Sequence, residues 1–170
     1  MPQLINSEMI RTLKSVFLPL PANLGARVFG SAQNVGNGVY ETIEFDTEHW
    51  DTGSTGAGGA YPNGMWDVAN DTRLTAVHRG WHAISGHLTF AANAVGIRGI
   101  GIQHSVDGFI ARDERNTIAG QFPISVSITT HYWMNAGEYV ELMAYQNSGG
   151  VLQVGEMGNY SPEFVMVRIP

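Results

Sequence analysis

Residues 74–91 read Leu74-Thr75-Ala76-Val77-His78-Arg79-Gly80-Trp81-His82-Ala83-Ile84-Ser85-Gly86-His87-Leu88-Thr89-Phe90-Ala91. With a period of two, Ile84, Leu88 and Phe90 share one face with His82 and Gly86. Trp81, Ala83, Ser85, His87 and Thr89 take the other. No i, i+3, i+4 repeat competes, so the stretch predicts a β-strand that sets in after Gly80. Both faces hold side chains that favour cover, Trp81 above all. A central strand between a core and a second covered surface satisfies both.

Working outward, the rest of the chain is strand-like too. Residues 26–32 and 39–46 read as strands around the turn Gly36-Asn37-Gly38. Residues 96–105 and 109–115 flank Asp107-Gly108, a strong hairpin signal. From Phe122 to Met134, Ile124, Val126, Ile128, Tyr132 and Met134 fall on one face. Ser125, Ser127, Thr129, His131 and Trp133 fall on the other. Gly137 leads into residues 138–146, where Val140, Leu142 and Ala144 point inward, and 151–154 forms a short strand. The expected class is all-β.

Two regions stand apart. In residues 1–25, Ser7 is placed to cap a short helix whose stripe is Met9, Ile10, Leu13, Val16 and Phe17, ended by Pro19 and Pro21. So short a helix is marginal alone, so the arm packs either on its own domain or into a larger assembly such as a capsid or tail. Residues 26–170 form the main domain. Within it, residues 47–72 read as a long glycine-rich loop. That loop is either a plain mobile insertion or a ligand-contacting loop with Tyr61 and Trp66 as aromatic anchors. Asp67, Asn70 and Asp71 read as turn residues rather than cation ligands.

The last strand carries the assembly argument. Phe164 and Met166 point one way, and Val165, Val167 and Ile169 the other. A strand with one wet face alternates with polar residues, and this one does not. Its second face needs cover, which further copies of the chain supply.

Several motifs carry a family resemblance. Leu74, five residues, then Gly80-x-His82-x-Ile84 is similar to the signature of complement 1q-like globular heads. Phe45, with Asp51 after five intervening residues, matches another part of it. Gly137-Glu138-Tyr139-Val140-Glu141-Leu142 and Ser161-Pro162-Glu163-Phe164 match its later strands in the same order. Leu74, His82 and Ile84 replace the usual aromatics. The phrases FDTEHWDTG, RLTA, AGEYVELMAYQNSGG and NYSPEFVMVR resemble such domains of tailed phages and actinobacteria. The resemblance implies a ten-stranded antiparallel jelly-roll sandwich of the complement 1q/tumour necrosis factor-like type, built as a homotrimer. It implies a trimer interface including Trp81, Ala83, Ser127, Thr129, Trp133, Val165 and Val167, joined by Ile169 and, across the inner sheet, His87 and His131. It also places His82 at a buried core position.

Composition bounds the function. The 170 residues carry 21 glycines, no cysteine and a net charge of −6. The charge and the lack of a basic cluster argue against nucleic acid. The absence of cysteine excludes disulfides and thiol chemistry. No apolar run reaches membrane-spanning length, and residues 15–20 are too short and proline-broken for a signal peptide. No catalytic, cofactor or metal site is expected: the serines lack a nucleophile elbow, and no carboxylate pair can be placed. The expectation is a non-enzymatic phage virion protein on the particle's outer surface, a capsid decoration protein or a tail component. The alternative is a tail-tip module that adheres to a host-surface glycan or protein.

Overall fold

The computed structural model describes residues 24–52, 64–117 and 122–170. The arm residues Met9, Ile10, Leu13, Val16 and Phe17, and the loop residue Tyr61, lie outside the described residues. Among the described residues there are twelve strands and no α-helix. One sheet holds seven: β1 (Gly25–Phe29), β2 (Gln33–Val35), β4 (Thr47–Asp51), β6 (Gly80–Phe90), β9 (Ile124–Met134), β11 (Leu152–Val154) and β12 (Glu163–Arg168). The other holds β3 (Tyr40–Thr42), β5 (Arg73–Thr75), β7 (Ile97–His104), β8 (Gly108–Asn116) and β10 (Tyr139–Gln146).

Every pairing is antiparallel. In the first sheet the order across the middle is β9-β6-β12-β1-β4, and β11 with β2 continues the β12 side at the Phe90 end of β6. In the second, β10 lies between β7 and the short strands β3 and β5, and β8 closes the far side. This is an antiparallel jelly-roll sandwich. Its core forms where the inward faces meet: Val28, Ile84, Leu88, Phe90, Val126 and Phe164 against Leu74, Ile100, Ile102, Val140 and Leu142. Phe45 stacks on Phe164 at 5.7 Å. Each large side chain so buried contributes roughly 1.5–3 kcal/mol.

The alternation in 80–90 and 124–134 translates directly. His82, Ile84, Gly86, Leu88 and Phe90 are buried, and β6 pairs with β9 in unbroken register from Gly80↔Met134 to Phe90↔Ile124. His82 is fully buried, its Nδ1 3.0 Å from the Gly80 carbonyl, and burial pushes its pKa down, so the neutral ring donates from Nδ1. Its Nε2 has no hydrogen-bond partner.

Three expectations are corrected. The strand expected over 26–32 ends at Phe29, and Gly30 follows with its backbone against the Glu44 carbonyl, too close to carry a side chain. The turn at Gly36-Asn37-Gly38 does not join a hairpin. Strand β2 pairs with β11 in one sheet and β3 with β10 in the other, so the chain changes layers there. The Gly38 N–H bonds to the Gln146 carbonyl, and Gln146 Nε2 reaches the Val35 carbonyl, which holds the crossing in place. Residues 47–72 are not a single loop. Thr47–Asp51 is an edge strand on β1, and Val68–Asn70 is a 3-10 turn capped by Asp67, whose Oδ1 accepts the Ala69 N–H at 2.9 Å. Buried Asp51 closes the excursion after β4: its Oδ2 accepts the N–H groups of Met65 at 2.6 Å and Trp66 at 2.9 Å. Gly64, at φ +60°, passes too close to that carboxylate to carry a side chain.

Candidate functional site

Register and pleat together lay out the outward face of the seven-stranded sheet in rows. Trp133, Trp81 and Ile169 form the first, the Ile169 N–H bonding to the Trp81 carbonyl at 2.8 Å. His131, Ala83, Val167 and Gly25 form the next. Thr129, Ser85, Val165 and Arg27 follow, then Ser127, His87, Glu163 and Phe29. The expected interface residues therefore share one continuous surface. Trp81 and Trp133 meet edge to face at 5.9 Å, yet remain 53% and 48% exposed. Ile169 is exposed, and Val165 and Val167 are half-buried.

The surface is closed on two sides. Along β1 and β4, Arg27 donates to Glu163 at 2.8 Å and lies over the Phe29 ring at 5.0 Å. Phe29 in turn meets His49 edge-on at 5.4 Å. The Trp50 ring covers Gly25. At the Phe90 end, Thr89 is buried and bonds to Ser125 at 2.9 Å, and Tyr160 stands edge-on to His87 at 5.7 Å. Burial pushes the His87 pKa down, against the opposing pull of Glu163. What stays open is the β12-β6-β9 part, apolar at the tryptophan row and down through Ala83, Val167 and Val165, and polar along β9 at Thr129 and Ser127.

The sequence reading missed the closing side. Arg27, Phe29, His49, Trp50 and Glu163 meet across long sequence separations, and only the register of β1 with β12 and β4 brings them together. His87 and His131 are expected across the inner sheet at a trimer axis. They stand opposite Ser127 and Ala83 respectively, four residues apart along the strands, about 13 Å, and do not meet within one chain. Buried His104 sits with Nδ1 3.1 Å from Asp107 and Nε2 3.3 Å from Glu138. Among the described residues no three ligating groups stand close enough to hold a metal.

Trp66 is half-buried and packs on the core, with its backbone held by Asp51. It lines a cleft of about 200 Å³ with Met65, Asp67, Asn70, Arg73 and Thr75. The Arg73 guanidinium lies over the Tyr139 ring at 4.6 Å. Trp66 Nε1 and Arg73 Nε are buried there without a hydrogen-bond acceptor.

Comparison with known proteins agrees with this geometry at the level of fold. No protein-family model matches the chain. An uncharacterized protein of Acanthamoeba polyphaga mimivirus is 37% identical over 86 residues, which is 47% of this chain. The chain spans only 36% of that relative's length. Among solved structures, Eiger, a tumour necrosis factor from S. frugiperda, superposes with TM-score 0.62 at 9% identity, covering 88% of this chain and 94% of its own. Murine APRIL at pH 5.0 gives 0.58 at 9% identity, over 86% of this chain and 99% of that one. The globular domain of zebrafish complement 1qA gives 0.57 at 9%, over 86% and 98%. The chain has the fold of tumour necrosis factor and complement 1q heads.

Proposed function

We propose that the chain is a non-enzymatic structural protein of a virus particle, a homotrimer displayed on the outer surface of a tailed phage. The open face carries this reading. A sheet that buries Ile84, Leu88 and Phe164 on one side presents Trp81, Trp133, Val165, Val167 and Ile169 on the other. A contiguous apolar patch of this kind on the outward face of a sheet is a contact surface. Three copies packed around an axis cover it without leaving an open-ended array. The proposed interface is Trp81, Ala83, His87, Ser127, Thr129, His131, Trp133, Val165, Val167 and Ile169. Residues 1–25, with the stripe Met9, Ile10, Leu13, Val16 and Phe17, attach the trimer to the capsid as a decoration protein or to the tail. The partial likeness to a mimivirus protein supports a viral setting.

Sedimentation of the purified chain at micromolar concentration tests the assembly. The expected species is three times 18.5 kDa, about 55 kDa. A well-folded particle of one chain's mass overturns the reading. Cryo-electron microscopy of the parent particle tests the location, with density for the sandwich expected on the capsid or tail surface.

A second reading, adhesion to a host-surface glycan, has one observation in its favour. The Trp66–Arg73 cleft sets an aromatic side chain beside Asp67, Asn70 and Arg73, the mix of ring and polar groups that suits an oxygen-rich ligand. Glycan-array binding that disappears in Trp66→Ala supports it, and an intact trimer that binds nothing removes it.

A further inference from the structure

Arg27, Arg112 and Arg115 are each paired with a carboxylate, and Arg98 gives its terminal nitrogens to the carbonyls of Asn93, Val95 and Ile97. Arg73 is placed differently. Its guanidinium lies over the Tyr139 ring at 4.6 Å, and among the described residues no carboxylate pairs with it. Glu141, opposite it in the β5–β10 register, accepts instead from the Thr72 hydroxyl at 3.0 Å. Protein atoms seal the Arg73 Nε, so what it offers the Trp66 cleft is its pair of terminal nitrogens.

The cleft is held in shape by the sandwich. Trp66 packs on the core and forms the apolar wall, its backbone N–H held by Asp51 at 2.9 Å. The Thr75 N–H bonds to the Met65 carbonyl at 2.7 Å, and the Phe45 N–H to the Asp71 carbonyl at 3.0 Å. Asp67 is half-buried, and with Oδ1 taken by the Ala69 N–H its Oδ2 is left as an acceptor. Asn70 is exposed and adds an amide. A cleft fixed in this way gives up little freedom on binding. Its groups then select by charge and size. Arg73 calls for a planar anion, which a guanidinium takes in a two-point contact. Asp67 repels a second anionic group but accepts hydroxyls, as Asn70 does. At about 200 Å³ the cleft is smaller than the roughly 300–1,000 Å³ of drug-sized sites, and leaves room for a single ring.

We infer that the Trp66–Arg73 cleft binds a sugar ring that carries one carboxylate, a uronic or sialic acid unit. The carboxylate lies on Arg73, hydroxyls lie on Asp67 and Asn70, and the ring lies against Trp66. This rests on the adhesion reading and narrows it to acidic glycans. None of the cleft residues belongs to the proposed trimer interface, so the two roles do not compete for side chains.

Titration of the full chain, followed by nuclear magnetic resonance, tests the assignment. The probes are the methyl glycosides of glucuronic, galacturonic and N-acetylneuraminic acid, each set against its own methyl ester. The ester keeps the ring and its hydroxyls and removes the charge. At least one acid is expected to bind about tenfold more tightly than its ester, the weight of one charge-assisted contact. The Trp66 indole N–H signal should shift as it binds. Arg73→Gln should bring acid and ester to equal affinity, while Arg79→Gln, outside the cleft, should preserve the preference. Acids and esters that bind alike overturn the carboxylate assignment and leave the adhesion reading standing. A folded chain that binds neither removes both. Should R73Q fail to fold, the unaltered chain decides alone: a preference for the acid whose shifts avoid Trp66 places the sugar elsewhere and overturns the site.

Discussion

The two outward faces of the sandwich handle exposure in opposite ways. On the five-stranded sheet, β7 presents Gly99 and Gly101 to the outside, and neighbouring rings lie down over them. A side chain at Gly99 would stand 3.0 Å from the Tyr40 hydroxyl, and one at Gly101 would stand 2.6 Å from the Phe109 ring. Tyr40 stacks on Tyr145 at 4.9 Å, meets Phe109 at 4.9 Å and lies under the Arg112 guanidinium at 5.0 Å. Its hydroxyl donates to Glu114 at 2.9 Å, and burial together with that carboxylate pushes its pKa up to about 12. That face is completed by its own residues. On the seven-stranded sheet the β1–β4 side and the Phe90 end are treated so, and the β12-β6-β9 side is left open. Aromatic content therefore does not mark a contact surface. What marks it is whether the chain has supplied partners for its own rings.

The largest effect expected from this contrast is on assembly. Val167→Asp places a carboxylate in the middle of the open face, where burial without a partner costs several kcal/mol in each copy. It should convert the sedimenting trimer to folded monomer, and a trimer that survives the change breaks the contrast. Trp133→Ala removes an aromatic of the kind that anchors interfaces and should cost about 2 kcal/mol. With three copies changed the loss is about 6 kcal/mol per trimer. Because the midpoint concentration follows the square root of the dissociation constant, it should rise on the order of a hundredfold, with the monomer's far-ultraviolet spectrum unchanged. Gly101→Val probes the sealed face instead. It displaces the Phe109 ring and loses about 1 kcal/mol of aromatic packing, lowering the thermal midpoint without altering the sedimenting mass.

Acidification tests both sides of the open sheet, His82 on the core side and His87 on the outward one. Burial holds the His82 and His87 pKa values below the 6.5 of a free imidazole, so the native chain binds fewer protons than the unfolded one. Stability is therefore fully present above about pH 6.5 and declines as pH falls below it. Urea midpoints across that range should show the decline, and His82→Gln should flatten it. The smallest effect belongs to Tyr40→Phe, which removes one partly exposed hydrogen bond and should cost about 0.5 kcal/mol, with assembly intact.

Long alternating runs were the legible part of this fold. Residues 80–90 and 124–134 each present one apolar and one mixed face, and the unbroken β6–β9 ladder is the result. Strand β4 was illegible because Thr47-Glu48-His49-Trp50-Asp51 is an edge strand with little to bury, so no alternation announces it. The change of sheet at Gly36–Gly38 was illegible for another reason. Strands β2 and β3 have three residues each, too short for a period to show which layer they join. On the open face, Val165 and Val167 could be picked out by their lack of polar alternation. Which of their neighbours are already partnered depends on register across 136 positions, as Arg27 and Glu163 illustrate. For Trp66 residue type alone offers an anchor only as one of two alternatives, and its packing against the core is not visible in the sequence.

The Asp51 clasp has a practical corollary. Because one carboxylate accepts the amides of Met65 and Trp66, and the Thr52 amide bonds to the Gly25 carbonyl, the sandwich holds both ends of that span. Peptide cargo grafted between Thr52 and Gly64 inherits a fixed footing, which makes this chain a natural scaffold for epitope display.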